Sequence, residues 1–308
     1  MLNIAHISDP HTSPALTSAS TLVSGLGADL NVCSGDICSA WFEQGIGSYD
    51  NNIFAPIIGN HDAILKAGAI DTGYDWTIQP TQQQLYNRYF YGCKLVNAVN
   101  GYSWWSWENS AENVLILGIN NAIYDSATLD TENAWLKEKL AYAAEKGLAV
   151  MIFQHGLEKS YNAVSCNFTN RARVSTFADE AAAWLKTYPY SYKLSDTIKA
   201  FSGKLLGIFA GHTHYDIFAT VTTDNGENVP YIAIGSLLHD SYNDVARSDT
   251  VNTLANAVLN LYRYSANLNA LEVYRLGASG SASGDRRKML VWDYGKQAIV
   301  SQVSATEY

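Results

Sequence analysis

Short apolar runs recur along the first two thirds of the chain, and each closes on small or polar residues. They are Asn3–Ile7, Leu30–Cys33, Phe54–Ile58, Val114–Ile119, Ala149–Phe153 and Leu205–Ala210. None shows a helical period and all are short, so they read as buried strands. Helical spacing returns between them. Residues 15–27 place Leu16, Leu22, Val23 and Leu26 on one side, and residues 131–146 do so with Trp135, Leu136 and Leu140. Asp130 or Thr131 is the expected cap of the second helix and Gly147 its stop. Residues 157–200 predict a loop and one helix carrying Phe177, Ala181, Trp184 and Leu185. Phe218–Val221 and Pro230–Ile234, joined through Asp224-Asn225-Gly226, predict a hairpin. Strands alternating with helices predict an α/β fold whose ligands bind at the carboxyl ends of the strands.

The pattern changes in two places. Residues 63–110 are irregular and aromatic (Tyr74, Trp76, Tyr86, Tyr89, Phe90, Tyr91, Tyr102, Trp104, Trp105, Trp107). Packing across a hairpin is preferred there over a substrate-side wall. From about 251 the chain reads as an extension. Ala255–Tyr264 is open between helix and strand, Leu271–Leu276 is a strand, and Gly277–Gly284 is a low-complexity linker. A terminal hairpin runs from Met289 to Val303. The expected division is a main domain over 1–250 and C-terminal strands over 251–308 packed on it, with a small oligomerisation element as the alternative.

The polar ends of the apolar runs carry the chemistry. They are Asp9-Pro10-His11, Gly35-Asp36, Gly59-Asn60-His61-Asp62, Gln154-His155-Gly156 and Gly211-His212-Thr213-His214. Pro10 favours an extended Asp9, so Asp9 and His11 are expected to leave the first strand on one side. Gly35 allows the turn that leaves Asp36 at a strand tip. Of the seven histidines, five lie in these ends, a placement that core packing does not explain. His6 lies inside a strand and reads as core. His239-Asp240 reads as structural in preference to a part of the site. Carboxylate, amide and imidazole without thiolate suit Mn, Fe, Zn, Ni or Co better than Mg or Ca. Seven donors exceed one tetrahedral ion, and two ions sharing a carboxylate fit the count.

Composition narrows the partners. The 308 residues are 47% hydrophobic and 16% charged, with net charge −9. Such a chain folds into a full core and is a poor match for a nucleic-acid backbone, which needs clustered cations. Small phosphorylated substrates remain open where metals supply the positive charge. Cys33, Cys38, Cys93 and Cys166 contain no CxxC pair and read as packing residues. No run reaches membrane-spanning length, and the first residues show no signal-peptide pattern, so cytoplasm is the default compartment. A virion or cell surface would suit the weakly charged composition equally. Asn167-Phe168-Thr169 matches a glycosylation acceptor and reads as chance.

The five blocks together resemble the calcineurin-like metallophosphoesterases, with their ordered D-x-H, G-D, G-N-H-D/E, H and G-H-x-H. The resemblance covers about residues 1–250. It implies a four-layer α-β-β-α sandwich of two mixed sheets flanked by helices. It implies two transition-metal ions, one held by Asp9, His11, Asp36 and His214, the other by Asp36 as bridge, Asn60, His155 and His212. It further implies phosphoester hydrolysis by a metal-bridging hydroxide, with His61 binding the phosphoryl oxygen or acting as general acid, oriented by Asp62. The second block reads Gly35-Asp36-Ile37-Cys38-Ser39 without a following Arg, which leans away from protein phosphatases towards phosphodiesterase-like members. A binding or structural component on the same fold, for example one that recognises a surface glycan, is the alternative, motivated by the aromatic stretch.

Overall fold

A computed structural model describes residues 1–65, 78–158, 164–166, 177–214, 216–237, 258–277 and 287–302. Tyr74, Trp76, Asn167–Thr169, His239-Asp240 and most of the Gly277–Gly284 stretch lie outside these. In chain order the elements are β1 (Leu2–Ile7), α1 (Ala15–Leu26), β2 (Leu30–Cys33), β3 (Ala55–Pro56) and α2 (Gln82–Leu85), which runs into a π-helical turn (Tyr86–Phe90). Then come β4 (Asn97–Ala98), β5 (Trp105–Asn109), β6 (Val114–Gly118), α3 (Ser126–Lys146), β7 (Ala149–Phe153) and β8 (Val164–Cys166). They are followed by α4 (Phe177–Thr187), α5 (Tyr192–Lys199), β9 (Leu205–Ala210), β10 (Ile217–Thr222) and β11 (Asn228–Ala233). β12 (Val258–Ser265), β13 (Ala270–Gly277), β14 (Arg287–Asp293) and β15 (Ala298–Gln302) close the chain.

Among the described residues these strands form two mixed sheets with flanking helices. One has the order β15-β14-β13-β12-β1-β2-β3, the other β4-β5-β6-β7-β9-β11-β10-β8. β1 to β3 are parallel to one another, as are β6, β7, β9 and β11. Their carboxyl ends carry the five polar blocks. The period of two decides how β7 packs. Met151 and Phe153 join the core that includes β1, β2 and α1, while Val150 and Ile152 join a second core under α3 and α5. A strand buried on both faces shows no polar alternation, which is why these runs are continuously apolar.

Several elements differ from the sequence reading, and residues 157–200 hold β8, α4 and α5 where a loop and one helix were expected. α3 begins at Ser126, ahead of the expected 131, because the Asp125 carboxylate accepts the Thr128 N–H at 2.7 Å. The first turn, Ser126-Ala127-Thr128, has no apolar period, and the buried Glu132, accepting the Asn120 N–H at 2.6 Å, puts a charge-bearing residue on the inner face. Asp130, the expected cap, lies on the surface and pairs with Lys193. Asp125→Ala is therefore expected to cost about 1 kcal/mol, and Asp130→Ala less than half of that; denaturant unfolding of both variants checks the assignment. β3 spans only two residues at the sheet edge, a place that tolerates Pro56, and the Ile57 N–H beyond it still donates to the Cys33 carbonyl at 2.8 Å. Of Ala255–Tyr264, open between helix and strand, the described part lies in β12 (Val258–Ser265), which pairs antiparallel with β1 from Leu2↔Tyr264 to His6↔Asn260. The first strand is thus held between a parallel neighbour and a strand from the C-terminal region.

Among the described aromatic residues of 78–110, all but the exposed Tyr91 are buried in or packed against the core. Tyr89, Phe90, Trp104 and Trp105 are buried, and Trp105 donates its indole N–H to the Pro56 carbonyl, joining the second sheet to β3. A helix-length stretch with a π-helical turn takes the place of part of the expected hairpin packing.

Candidate metal centre

Two loops zip together to build the first part of the site. The N–H groups of Asp9, His11 and Thr12 donate to the carbonyls of Gly35, Asp36 and Ile37 at 3.0, 3.0 and 3.1 Å. This pairing overturns the extended path expected through Pro10. Asp9, His11 and Thr12 have φ of 51, 43 and 60°, and Asp36, His212 and His214 have 52, 70 and 59°. Left-handed backbone is unfavourable for such side chains and costs on the order of 1 kcal/mol or more each. Among the described residues, six of the nine non-glycine residues with positive φ lie in these three loops, so strain concentrates where the donors converge. Two glycines leave the room required. A Cβ on Gly35 would stand 2.4 Å from His155 Nδ1, and one on Gly59 would stand 2.2 Å from the Asp36 carboxylate.

Two donor groups result. Asp9, His11, Asp36 and His214 place one ligand atom each within 4.8 Å of one another, and so do Asp36, His155 and His212. Asp36 is common to both. Its Oδ1 lies 3.3 Å from His155 Nε2, and its Oδ2 lies 3.8 Å from His11 Nε2. Asn60 Oδ1 joins the second group, 3.0 Å from His155 Nε2 and 2.9 Å from His212 Nδ1. His61 stands at the rim with its side chain 24% exposed, Nε2 being 3.9 Å from Asp36 Oδ2 and the ring edge-on to His11.

The tautomers point the lone pairs inward. His155 Nδ1 lies 2.6 Å from the Ser34 carbonyl and His11 Nδ1 lies 3.3 Å from that of Cys38. A carbonyl only accepts, so Nδ1 carries a proton in each, and Nε2, which offers a lone pair once the ring is neutral, faces the centre. His11 Nε2 then meets His214 Nε2 at 3.2 Å, beside Asp9 Oδ1, which accepts no hydrogen bond. Likewise His155 Nε2 faces two oxygens, Asn60 Oδ1 and Asp36 Oδ1. Buried nitrogens and oxygens that converge in this way share protons when no cation is bound, and a cation can take the place of those protons. The donor set thus fits divalent metal ions.

Titration follows the same logic. Burial opposes charge on His155, but the adjacent Asp36, with Asp9 and the Ser34 hydrogen bond, outweighs it and raises the ring to about 9. Desolvation works against ionisation of Asp36 too, yet His155, His61 and His11 hold it well below the carboxylate range. Asp9 is likewise depressed, by His214 and His155 against its burial. Burial, followed by the proximity of His155, lowers His212 to about 3. The ionised carboxylates and neutral His212 are already in the form that binds a metal, whereas His155 would give up its proton on binding one.

Asp62 departs from its expected partner. Its Oδ1 accepts from Cys38 N–H at 2.9 Å and from the Tyr89 hydroxyl at 3.0 Å, and its Oδ2 from Gly59 N–H at 3.0 Å and Ile37 N–H at 3.2 Å. Four hydrogen bonds fill a carboxylate. Asp62 therefore ties the backbone that follows Asp36 to its own loop at Gly59, and both its oxygens are taken by these partners and not by the His61 ring. His6 is core, bonded to the Tyr262 hydroxyl at 2.8 Å and the Ser34 hydroxyl at 2.7 Å. Cys33 and Cys38 are buried thiols.

Sequence reasoning missed a buried support beside His155. Glu158 accepts from Asn121 and Ser191 at 2.9 Å each, and Asn121 Oδ1 also takes the His155 N–H at 3.3 Å. Burial lifts Glu158 to about 8 against those hydrogen bonds. Only its place three residues after His155 hinted at a role. Trp184 of α4 packs edge-on to His212, with ring centres 4.8 Å apart, and walls the second group.

Two facing sheets, with a shared carboxylate and converging imidazoles at their strand ends, define a metal-binding α/β sandwich. Residues 2–216 match the family described as calcineurin-like phosphoesterase, and the chain belongs to that family. No curated protein matches it. Among solved structures, a dimetal phosphatase from Danio rerio superposes with a TM-score of 0.53 at 11% identity, over 95% of this chain and 99% of that one. A conserved uncharacterized protein from Streptococcus pneumoniae, described as a predicted phosphoesterase, gives 0.35 at 10% identity over 90% of this chain and 89% of that one. At such identities the first likeness speaks for the fold, and the second is too loose to add to it. No helix among the described residues is long and apolar enough to cross a membrane.

Proposed function

We propose that this chain hydrolyses phosphoester bonds of small phosphorylated substrates with two transition-metal ions bound at the sheet edge. The observation that carries the reading is Asp36, whose two carboxylate oxygens face separate donor groups. Asp9, His11, Asp36 and His214 would hold one ion, and Asp36, Asn60, His155 and His212 the other. Ions held there would supply a water of lowered pKa and neutralise negative charge on the phosphoryl oxygens. The remaining work falls to the chain. His61, partly open to solvent, stands where it can contact a phosphoryl oxygen or protonate the departing oxygen. Asp62, through Gly59, Ile37 and Cys38, keeps the Asp36 turn rigid. Trp184 and the buried strand ends limit water on the inner side. The binding-only alternative drew on the aromatic stretch, whose Tyr89, Phe90, Trp104 and Trp105 serve the core.

Purified protein loaded separately with Mn, Fe, Zn, Ni or Co is expected to hydrolyse bis-p-nitrophenyl phosphate or p-nitrophenyl phosphate. Chelation should abolish turnover and reloading restore it, while Mg and Ca give less. The ratio of the two rates measures diester against monoester preference. Absence of turnover with every metal, together with no transition element by elemental analysis, would refute the proposal.

A further inference from the structure

Arg275 of β13 lies well outside the matched residues 2–216 and is 1% exposed. A guanidinium cannot shed its proton, so its burial demands partners. Its Nη2 donates to Asp216 Oδ2 at 2.5 Å and its Nε to Asn260 Oδ1 at 2.8 Å. Asp216 stands two residues after His214, and its other oxygen accepts the Gly235 N–H at 3.0 Å. The next two residues reach the first strand's end: Ser236 donates its hydroxyl to the Asp9 carbonyl, and Leu237 its N–H to that of Ser8, both at 2.8 Å. One path of hydrogen bonds thus leads from β13 to the loop bearing His214 and to the backbone of Asp9. Both belong to the donor group completed by His11 and Asp36.

Geometry is what this path supplies. A buried ion pair adds little net stability over a well-packed apolar pair. The loop it grips holds His212 and His214 at φ of 70 and 59°, conformations that persist only when their surroundings over-determine them. β12, one strand nearer, makes a parallel connection on the other side. Tyr262 bonds to His6, His6 to Ser34, and the Ser34 carbonyl to His155.

We infer that Arg275 is a positioning residue of the metal centre, pinning Asp216 so that His214 and Asp9 keep their ligating arrangement. The inference rests on the metal reading proposed above. It makes the C-terminal strands a working part of the site, and it separates the two donor groups: loss of Arg275 disturbs the one containing His214 and Asp9 before the one containing His155.

The full chain titrated with Co2+, read by visible absorption and by stoichiometry at equilibrium, tests it. The double variant Arg275→Met, Asp216→Asn removes both charges and orphans neither. It is expected to bind one Co2+ as the wild type does and the second about 10- to 100-fold more weakly, with an altered ligand-field spectrum. Arg275→Lys keeps the charge but cannot reach Asn260 and Asp216 together, and is expected to lose less. Should the double variant fail to fold, Arg275→Lys carries the same comparison. Wild-type affinities and spectrum in a folded variant, or equal weakening of both ions, would overturn the positioning role. A wild-type protein that takes up no Co2+ would instead remove the metal reading on which it rests.

Discussion

Asp36→Asn is expected to reduce metal-dependent phosphoester hydrolysis by about 10^3-fold or more, towards the rate without protein. Asp36 is the one carboxylate shared by the two donor groups. The substitution keeps the shape and removes the charge that both prospective cations use. Two cations are worth several kcal/mol of transition-state stabilisation, and each 1.36 kcal/mol is tenfold in rate. The amide oxygen of the substituted side chain would still accept the His61 N–H, which now lies 2.8 Å from Asp36 Oδ1, so the local backbone has a reason to survive. Thermal unfolding without metal should therefore change far less than activity does. Elemental analysis should show fewer than two ions per chain. Full occupancy with full activity would show that Asp36 is not the bridge.

The second large effect is at His61. His61→Ala is expected to lower turnover by roughly 10^2- to 10^4-fold while both ions remain bound. Its ring is at the rim, beyond hydrogen-bond distance of Asp36, and it belongs to neither donor group. The size of the loss with two leaving groups separates its possible roles. A general acid matters most for a poor leaving group, so an alkyl phosphate ester should lose about 10-fold or more beyond the loss seen with a p-nitrophenyl ester. A residue that only binds the phosphoryl oxygen would cost both esters equally. Asp62→Asn gives a contrasting outcome. Because the Asp62 carboxylate accepts four hydrogen bonds from the Asp36 turn and Tyr89, its loss acts on stability and metal retention together.

Much of this arrangement could be read along the chain because it is written in short range. Each apolar run is a strand buried on both faces, and the polar residue that ends it must emerge at the carboxyl edge. His155 after Phe153 and Asp36 after Cys33 follow that rule. Helix boundaries were less legible. Asp125 caps α3 through a contact three residues on, where the first turn, Ser126-Ala127-Thr128, shows no apolar period. Glu132 faces inward because Asn120 offers it a backbone N–H, a partner twelve residues away that periodicity does not reveal. Ala255–Tyr264 had an apolar pattern open to either helix or strand, and for its described residues pairing with β1 and β13 selected the strand.

By itself, then, the amino-acid order determined the α/β class, the edge at which chemistry gathers, and the residues that gather there: Asp9, His11, Asp36, Asn60, His155, His212 and His214 as candidate donors, with His61 beside them. Only the folded chain decided how they meet: left-handed backbone at Asp9 and His11 where extended backbone was expected, Asp62 spent on the turn and not on His61, and Arg275 gripping Asp216 from a strand far along the chain. The reason is range. Strand propensity and glycine turns depend on neighbours a few residues away, whereas hydrogen-bond partners for a buried charge are chosen among groups that come together only when two sheets close upon each other.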